Sequence, residues 1–508
     1  MEFNLKRTPV ATLSYSLDTV SEQPVDIDFT LPDYCPDIEK LLRCKLTPKI
    51  YSRNLSGGQL QLDGNTVVSV LYMDSESRRV RAVEQTVPFS AVFRLKDTPE
   101  NYALQTSVKC EYVNCRALSR RRLTVHGAFS VCAKAITKGE TELYSPEGIE
   151  NVEFLTRDVE LTTLSALGSS QFSVGDEIIV SGKPPVELVL DSSVSARITE
   201  TRVMPDRLSL SGELTVKLLY LSGTDSAKPE RLDYIIPFAE ALECEGLTDE
   251  CVTCLNLDVM SYDIRLKNDI LSENPLVNVD AKLSCFAAAY HPESFSIALD
   301  AFGTENVCEP EITRVTAPSD TNLVTDTFML KDALQLDDSG ISEIIDFTAE
   351  KCPLTVTASD GRLSLSSKLN ICILALNSEG EPVYLERSVN VNRELEADGN
   401  SFSCPEINIV SLSYRLADNN SVELRCELSC SIITSRSENL DIVCSVNCCD
   451  DKPIRKKSCA LTLYFADKGE RLWDIAKAYS TPKNLIEEEN GTVADILAEP
   501  QMLLIPTV

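Results

Sequence analysis

Histidine is almost missing from this chain: His126 and His291 are the only two in 508 residues. Their scarcity removes the commonest general base and metal ligand. No stretch approaches 18 apolar residues, so no transmembrane helix is expected. The opening residues Met1 to Pro9 lack an apolar core segment, so no signal peptide is expected either. Gly-x-x-x-x-Gly-Lys-Ser/Thr, Gly-x-Ser-x-Gly and His-Glu-x-x-His do not occur. Nothing reads as a catalytic constellation or a cofactor cradle, and the expectation is a protein that is not an enzyme and takes no cofactor. Net positive charge is lacking too. Lys plus Arg number 48 against 78 Asp plus Glu, a formal charge of −30. Such a polyanion repels nucleic acid and anionic lipid at long range. The short basic runs Arg120-Arg121-Arg122 and Arg455-Lys456-Lys457 are read as solvated strand ends or linker.

Cysteine is plentiful, 19 in all. Without export the thiols are expected to stay reduced and the protein to be intracellular. A tetrahedral zinc site usually takes two Cys-x-x-Cys pairs. Only Cys251-Val252-Thr253-Cys254 has that spacing, with Cys448-Cys449 adjacent to each other, so they are read as buried or edge thiols and no metal is expected.

What the chain does have is internal repetition. A shift of 148 (184 − 36) carries Pro36, Ile38 and Leu42 onto Pro184, Val186 and Leu190. The same shift takes Leu60, Leu62, Gly64, Val68, Leu71 and Tyr72 onto Leu208, Leu210, Gly212, Val216, Leu219 and Tyr220. Pro88-Phe89 falls on Pro237-Phe238 with one residue more. A weaker third copy lies at a shift of 303 (341 − 38), where Ile341, Ile344 and Ile345 replace Ile38, Leu41 and Leu42. Pro36 suits the first turn of a helix, and Ile38, Leu41 and Leu42 fall at i, i+3, i+4. A short helix is therefore expected at the head of each repeat. Period-two runs such as Leu60–Leu62, Val68–Val70 and Leu123–Val125 then read as strands, with Gly64 at a bulge or turn. Connections too short for crossover helices make the sheets antiparallel.

The tail is different in kind. Leu463-Tyr464-Phe465 is strand-like, and Leu472, Ile475, Ala476 and Tyr479 have helical spacing. Thr481 can cap a second helix with Pro482 at its first position, and Asn490-Gly491 ends it. Met502 to Ile505 returns as a strand. Trp473, the only tryptophan, is read as core, where burying its ~150–250 Å² contributes at most about 4–6 kcal/mol. The expected fold class is mainly β, with three serial β-rich repeat domains, each opening with a short helix, and a small βααβ module. The boundaries are 1–150, 151–292, a connector 293–325, 326–457 and 458–508.

Lys468-Gly469-Glu470-Arg471-Leu472-Trp473-Asp474-Ile475-Ala476, with Leu485-Ile486, Asn490 and Leu504-Ile505-Pro506, resembles a LysM domain. That resemblance implies a glycan groove for N-acetylglucosamine chains of peptidoglycan between two loops. It carries over onto Gly469, Glu470, Arg471 and Leu472, and onto Asn490, Gly491, Thr492, Val493 and Ile496. Two positions depart from the family: Gly469-Glu470-Arg471 stands for Gly-Asp-Thr/Ser, and Pro500-Gln501 for Pro-Gly. Four cations against eight acids from Ala460 onward also leave the module acidic. The repeats resemble the SPOCS domain of spore coats through Leu31-Pro32-Asp33-Tyr34-Cys35-Pro36-Asp37-Ile38-Glu39-Lys40-Leu41-Leu42 and Leu210 to Tyr220. Repeats followed by one LysM resemble the clostridial SipL type of spore coat morphogenetic protein. The resemblance implies a scaffold in the mother-cell cytoplasm at the forespore surface. Its implied partners are the coat morphogenetic ATPase, docked through the LysM module, and other coat proteins, with neither nucleic acid nor membrane insertion. The alternative it leaves is a peptidoglycan-binding protein of the spore or cell envelope.

Overall fold

The computed structural model describes residues 2–507 except 98–101, 147–148, 181–182, 223–227, 268–275, 337–339, 360, 398, 419, 455–458 and 492. Arg455-Lys456-Lys457 and the candidate groove residue Thr492 lie outside the described residues.

After β1 (Glu2–Asn4), the first repeat opens with a long strand, β2 (Lys6–Thr30). A meander follows, β3 (Ile38–Ser56), β4 (Gln59–Asp74) and β5 (Val80–Arg94), then β6 (Ala103–Ala117) and the long closing strand β7 (Arg122–Ser145). The second repeat has the same plan. It runs β8 (Val152–Ile178), β9 (Leu188–Met204), β10 (Arg207–Leu221), β11 (Glu230–Glu243), β12 (Val252–Lys267) and β13 (Leu276–Gly303). In the third, β14 (Asn306–Gln335) is followed by β15 (Ile341–Lys351) and β16 (Thr355–Ser359), two pieces of one meander strand. Then come β17 (Arg362–Asn377), β18 (Pro382–Glu396), β19 (Ser401–Asp418) and β20 (Ser421–Pro453). Each repeat pairs its first and last long strands and its edge strand in one antiparallel sheet: β2-β7-β6, β8-β13-β12 and β14-β20-β19. The meander forms the other sheet, and apolar side chains fill the space between the two, as in a sandwich. Residues 293–325, expected as a connector, are almost wholly strand and lie in β13 and β14.

The short helix expected at the head of each repeat does not form: Ile38 begins β3, Leu188 begins β9 and Ile341 begins β15. The helical spacing comes from β-bulges. Glu39 and Leu42 are extra residues in β3, Leu190 in β9, and Ser342 and Ile345 in β15. Each extra residue flips the pleat, so apolar positions recur at three and four instead of two. Pro36 lies before the strand, where its carbonyl accepts the buried Tyr72 hydroxyl at 3.2 Å, and Pro184 accepts Tyr220 at 3.0 Å. Gly64 lies within β4 at a bulge, as expected, with Tyr51 the extra residue of the paired strand β3, and it stands opposite Phe89, whose ring occupies the space a side chain would need. Gly212 and Phe238 repeat the pair, a ring laid over a strand glycine.

The three repeats close on one another. β5 lies against β9, β11 against β15 and β18 against β3, a cyclic arrangement of the meanders. The bulged residues Leu42, Leu190 and Ile345 meet at its centre with Leu71, Leu219 and Leu374, which the same shifts relate. At the next position the repetition breaks into charge. Arg43 pairs with Asp191 at 3.0 Å and with Glu350 at 2.7 Å, while Asp346 faces Arg231 at 3.5 Å. β1 pairs with β20, which ties the first repeat to the third.

Candidate functional site

The tail forms β21 (Leu461–Ala466), α1 (Leu472–Tyr479), α2 (Lys483–Asn490) and β22 (Gln501–Pro506), the strand, helix, helix, strand order expected. Arg471 takes the N-cap position of α1 but makes no side-chain cap bond, as befits a cation in place of a hydroxyl. Asp474 in the first turn complements the helix dipole. The second helix starts one residue later than expected. Pro482 is its N-cap, and the Thr481 hydroxyl instead donates to Pro506 O at 3.0 Å.

The two candidate groove loops come together in space. Gly469 N–H donates to Leu497 O at 2.8 Å, Leu497 N–H to Glu470 O at 3.0 Å and Leu472 N–H to Asp495 O at 2.9 Å. Arg471 and Ile496 form a bridge pair. Gly469 has φ +90°, a conformation that favours glycine. Most side chains of the set hold the module rather than face solvent. Leu472 and Val493 are buried. The Glu470 carboxylate accepts the Tyr464 hydroxyl and the Asp467 N–H, each at 3.0 Å, and this pushes the Tyr464 phenol up. The Asn490 amide donates to Ile486 O and Leu504 O and accepts from Leu504 N–H, fastening α2 to β22. Gly491 caps α2 with positive φ. Among the described residues of the set, Arg471 and Ile496 keep exposed side chains.

Two features of the module escaped the sequence. Trp473 is buried, yet not only by its own module. Its indole N–H donates to Asp300 of β13 at 2.9 Å, and its ring tilts against Phe302 with centroids 5.0 Å apart. Lys477 adds a salt bridge to Asp300 at 2.7 Å. Burial pushes the Asp300 carboxyl up, but the bonds from Lys477 and Trp473 outweigh it and hold it below the usual range. The tail is therefore docked on the second repeat. Its β21–β22 sheet turns Tyr464, Leu503 and Ile505 inward, and the opposite face carries Leu461, Leu463, Met502 and Phe465, the last 76% exposed. Alternation could have flagged that face, since six of six outward positions are apolar, from Leu461 through Pro506.

The Glu39 of the supposed helix sits at a bulge. His126 contacts Asp26, and His291 contacts Glu250 at 3.0 Å. Among the described residues no group of three or more His, Cys, Asp or Glu could hold a metal. Cys254 is buried in β12, and Cys251 lies in the turn before it. The expectation of uniformly reduced thiols is corrected: Cys308 and Cys448 are direct cross-strand neighbours, Cα atoms 4.0 Å apart, and form a disulfide. Among the described residues no helix is long and apolar enough to cross a membrane.

No curated protein and no solved structure matches the chain. Two segments match a known family: residues 37–118 and residues 185–267 are each similar to the family described as SipL, SPOCS domain. Both run from the bulged head of a repeat through its meander to its edge strand, so the matched unit is the meander with the strand packed against it.

Proposed function

We propose that this chain is a non-enzymatic scaffold of the spore coat. The two SipL SPOCS matches carry this reading, and the matched domain is not a known catalytic one. The third repeat follows the same strand plan, which extends the reading to the body as a whole. A closed body of three mutually packed repeats suits a load-bearing part better than a catalyst. In this reading it works in the cytoplasm of the mother cell, at the forespore surface.

The tail is the adaptor in this reading. It has the βααβ order of a LysM domain, and it docks a protein partner, the coat morphogenetic ATPase. Support comes from the exposed surface: Arg471 and Ile496 beside each other, and an uncharged apolar sheet face bearing Phe465. Aromatic side chains and Arg are enriched where proteins meet. The glycan reading has less to draw on, because Leu472, Val493, Glu470 and Asn490 are occupied within the module. Co-purification from sporulating cells, with and without residues 458–508, tests the adaptor role. Retention of the ATPase by the full chain and its loss on truncation is the expected result. Retention of purified peptidoglycan by the full chain, with no ATPase bound, would favour the glycan reading instead.

A further inference from the structure

At each boundary between consecutive repeats, a meander faces the edge strand of the next repeat. Between the first and second repeats the space is filled. Lys49 of β3 lies 3.9 Å from the centre of the Tyr262 ring of β12 and donates to the Tyr262 carbonyl at 2.7 Å. The Tyr262 hydroxyl in turn donates to Ser192 O at 3.1 Å. Between the second and third repeats the corresponding space is open, a cleft of about 410 Å³. The shift of 148 (184 − 36) puts Arg197 where Lys49 stands and Lys217 where Ser69 stands. Counting from the bulge of each edge strand, Met260 in β12 and Val410 in β19, Leu412 takes the place of Tyr262. A leucine there leaves unfilled what a tyrosine ring fills at the other boundary.

The charge of this cleft opposes that of the chain. Its walls carry Arg197, Lys217, Arg231 and Lys351 against Glu213 and Asp233. Arg197 engages Glu213 at 2.7 Å. Asp233 is the direct cross-strand neighbour of Lys217, but Arg231 holds both its oxygens, at 3.1 and 2.8 Å. Asp346, 3.5 Å from Arg231, is engaged there as well. Lys351 donates to Ile407 O and to Asn408 Oδ1. Lys217 is what remains: among the described residues its ammonium makes no hydrogen bond and no ion pair. Burial and the nearby Arg231 push its pKa below that of an ordinary lysine. Lys217 is half-buried on the cleft wall, so its unpaired ammonium is open to an anion that enters the cleft.

We propose that this cleft is a binding site for a small phosphate-bearing anion, held by Lys217 with the guanidinium groups of Arg197 and Arg231 beside it. Phosphate offers three acceptor oxygens, and arginine forks and a lysine point charge are the usual means of meeting them. Calorimetric titration of the full chain at low chloride, with inorganic phosphate and separately with glucose 6-phosphate, tests the site. Saturable one-to-one binding of at least one of them is expected. Binding of both assigns the free ion, and binding of glucose 6-phosphate alone assigns the ester. Lys217→Gln should weaken binding about tenfold or more while melting at or above the wild-type temperature. Leu412→Tyr should close the cleft as Tyr262 does at the other boundary, and abolish binding in a folded chain. Absence of saturable binding to the wild type would overturn the proposal, as would unchanged affinity in a folded Lys217→Gln or Leu412→Tyr variant.

Discussion

At the residue scale, the most constrained positions are glycines under rings. A Cβ at Gly212 would lie 2.3 Å from the Phe238 ring and 2.5 Å from Arg197 O, so neither flexible relaxation nor a rotamer change relieves it. Gly212→Ala should cost about 2–4 kcal/mol in denaturant unfolding. The third repeat shows the alternative solution: Ser367 stands opposite Val391, and its hydroxyl donates to Cys352 O at 2.9 Å. Gly212→Ser combined with Phe238→Val should therefore recover much of the loss. A second constrained residue is Asp258 of β12. Burial pushes its carboxyl up to about 6, with Glu406 adding and with Lys351 and Arg53 opposing. The folded value lies above the unfolded 3.8, so the folded state holds the proton more tightly. This site's contribution to stability is full below about pH 4 and is lost as pH rises to about 6. Asp258→Asn should stabilise the protein at pH 7.5, by at most about 3 kcal/mol. Urea midpoints of variant and wild type should converge near pH 4.

At the element scale, the strands and the bulge at Gly64 were legible, and the bulges at the head of each repeat were not. Period-two runs in β4, β10 and β7 reveal themselves because one face is dry. The head of each repeat reads as a helix because a strand with two closely spaced bulges imitates helical spacing, and nothing local in Ile38 to Leu42 separates the two. The tail was legible in its order and in its capping glycine, but its attachment was not. Asp300 lies more than 150 residues before Trp473, a long-range contact that no local pattern announces. Its consequence can be tested with the single tryptophan as the probe. The Asp300 carboxyl is held below the usual range, so its contribution to docking is full above about pH 4 and is lost as pH falls through the lowered value. Tryptophan emission should shift to the red as the pH falls below about 4. Asp300→Ala should give the shifted spectrum already at pH 7, with the fold of the body retained by circular dichroism.

At the scale of the whole molecule, repetition was visible while mutual packing was not. Each repeat has its own sandwich core, which hydrophobic periodicity foretells. The shared centre depends on three bulged residues, Leu42, Leu190 and Ile345, whose outward turn is invisible without the register. Beside that centre Arg43, Asp191 and Asp346 occupy equivalent places, with side chains at most 16% exposed. Three identical copies would put like charges together there. One cation and two acids, completed by Lys45 and Arg231, instead favour three unlike repeats of one chain in a fixed order. The centre therefore links the repeats energetically, and residues 1–457 should melt in one calorimetric transition rather than three. Residues 1–150 alone should be unfolded or molten, because they expose Leu42, Leu71 and an unpaired Arg43. Arg43→Leu in the full chain strips Asp191 of one of its two cations and should cost about 3–5 kcal/mol. It should lower the single transition as a whole. Three separable transitions in the wild type would mean that the repeats do not depend on one another.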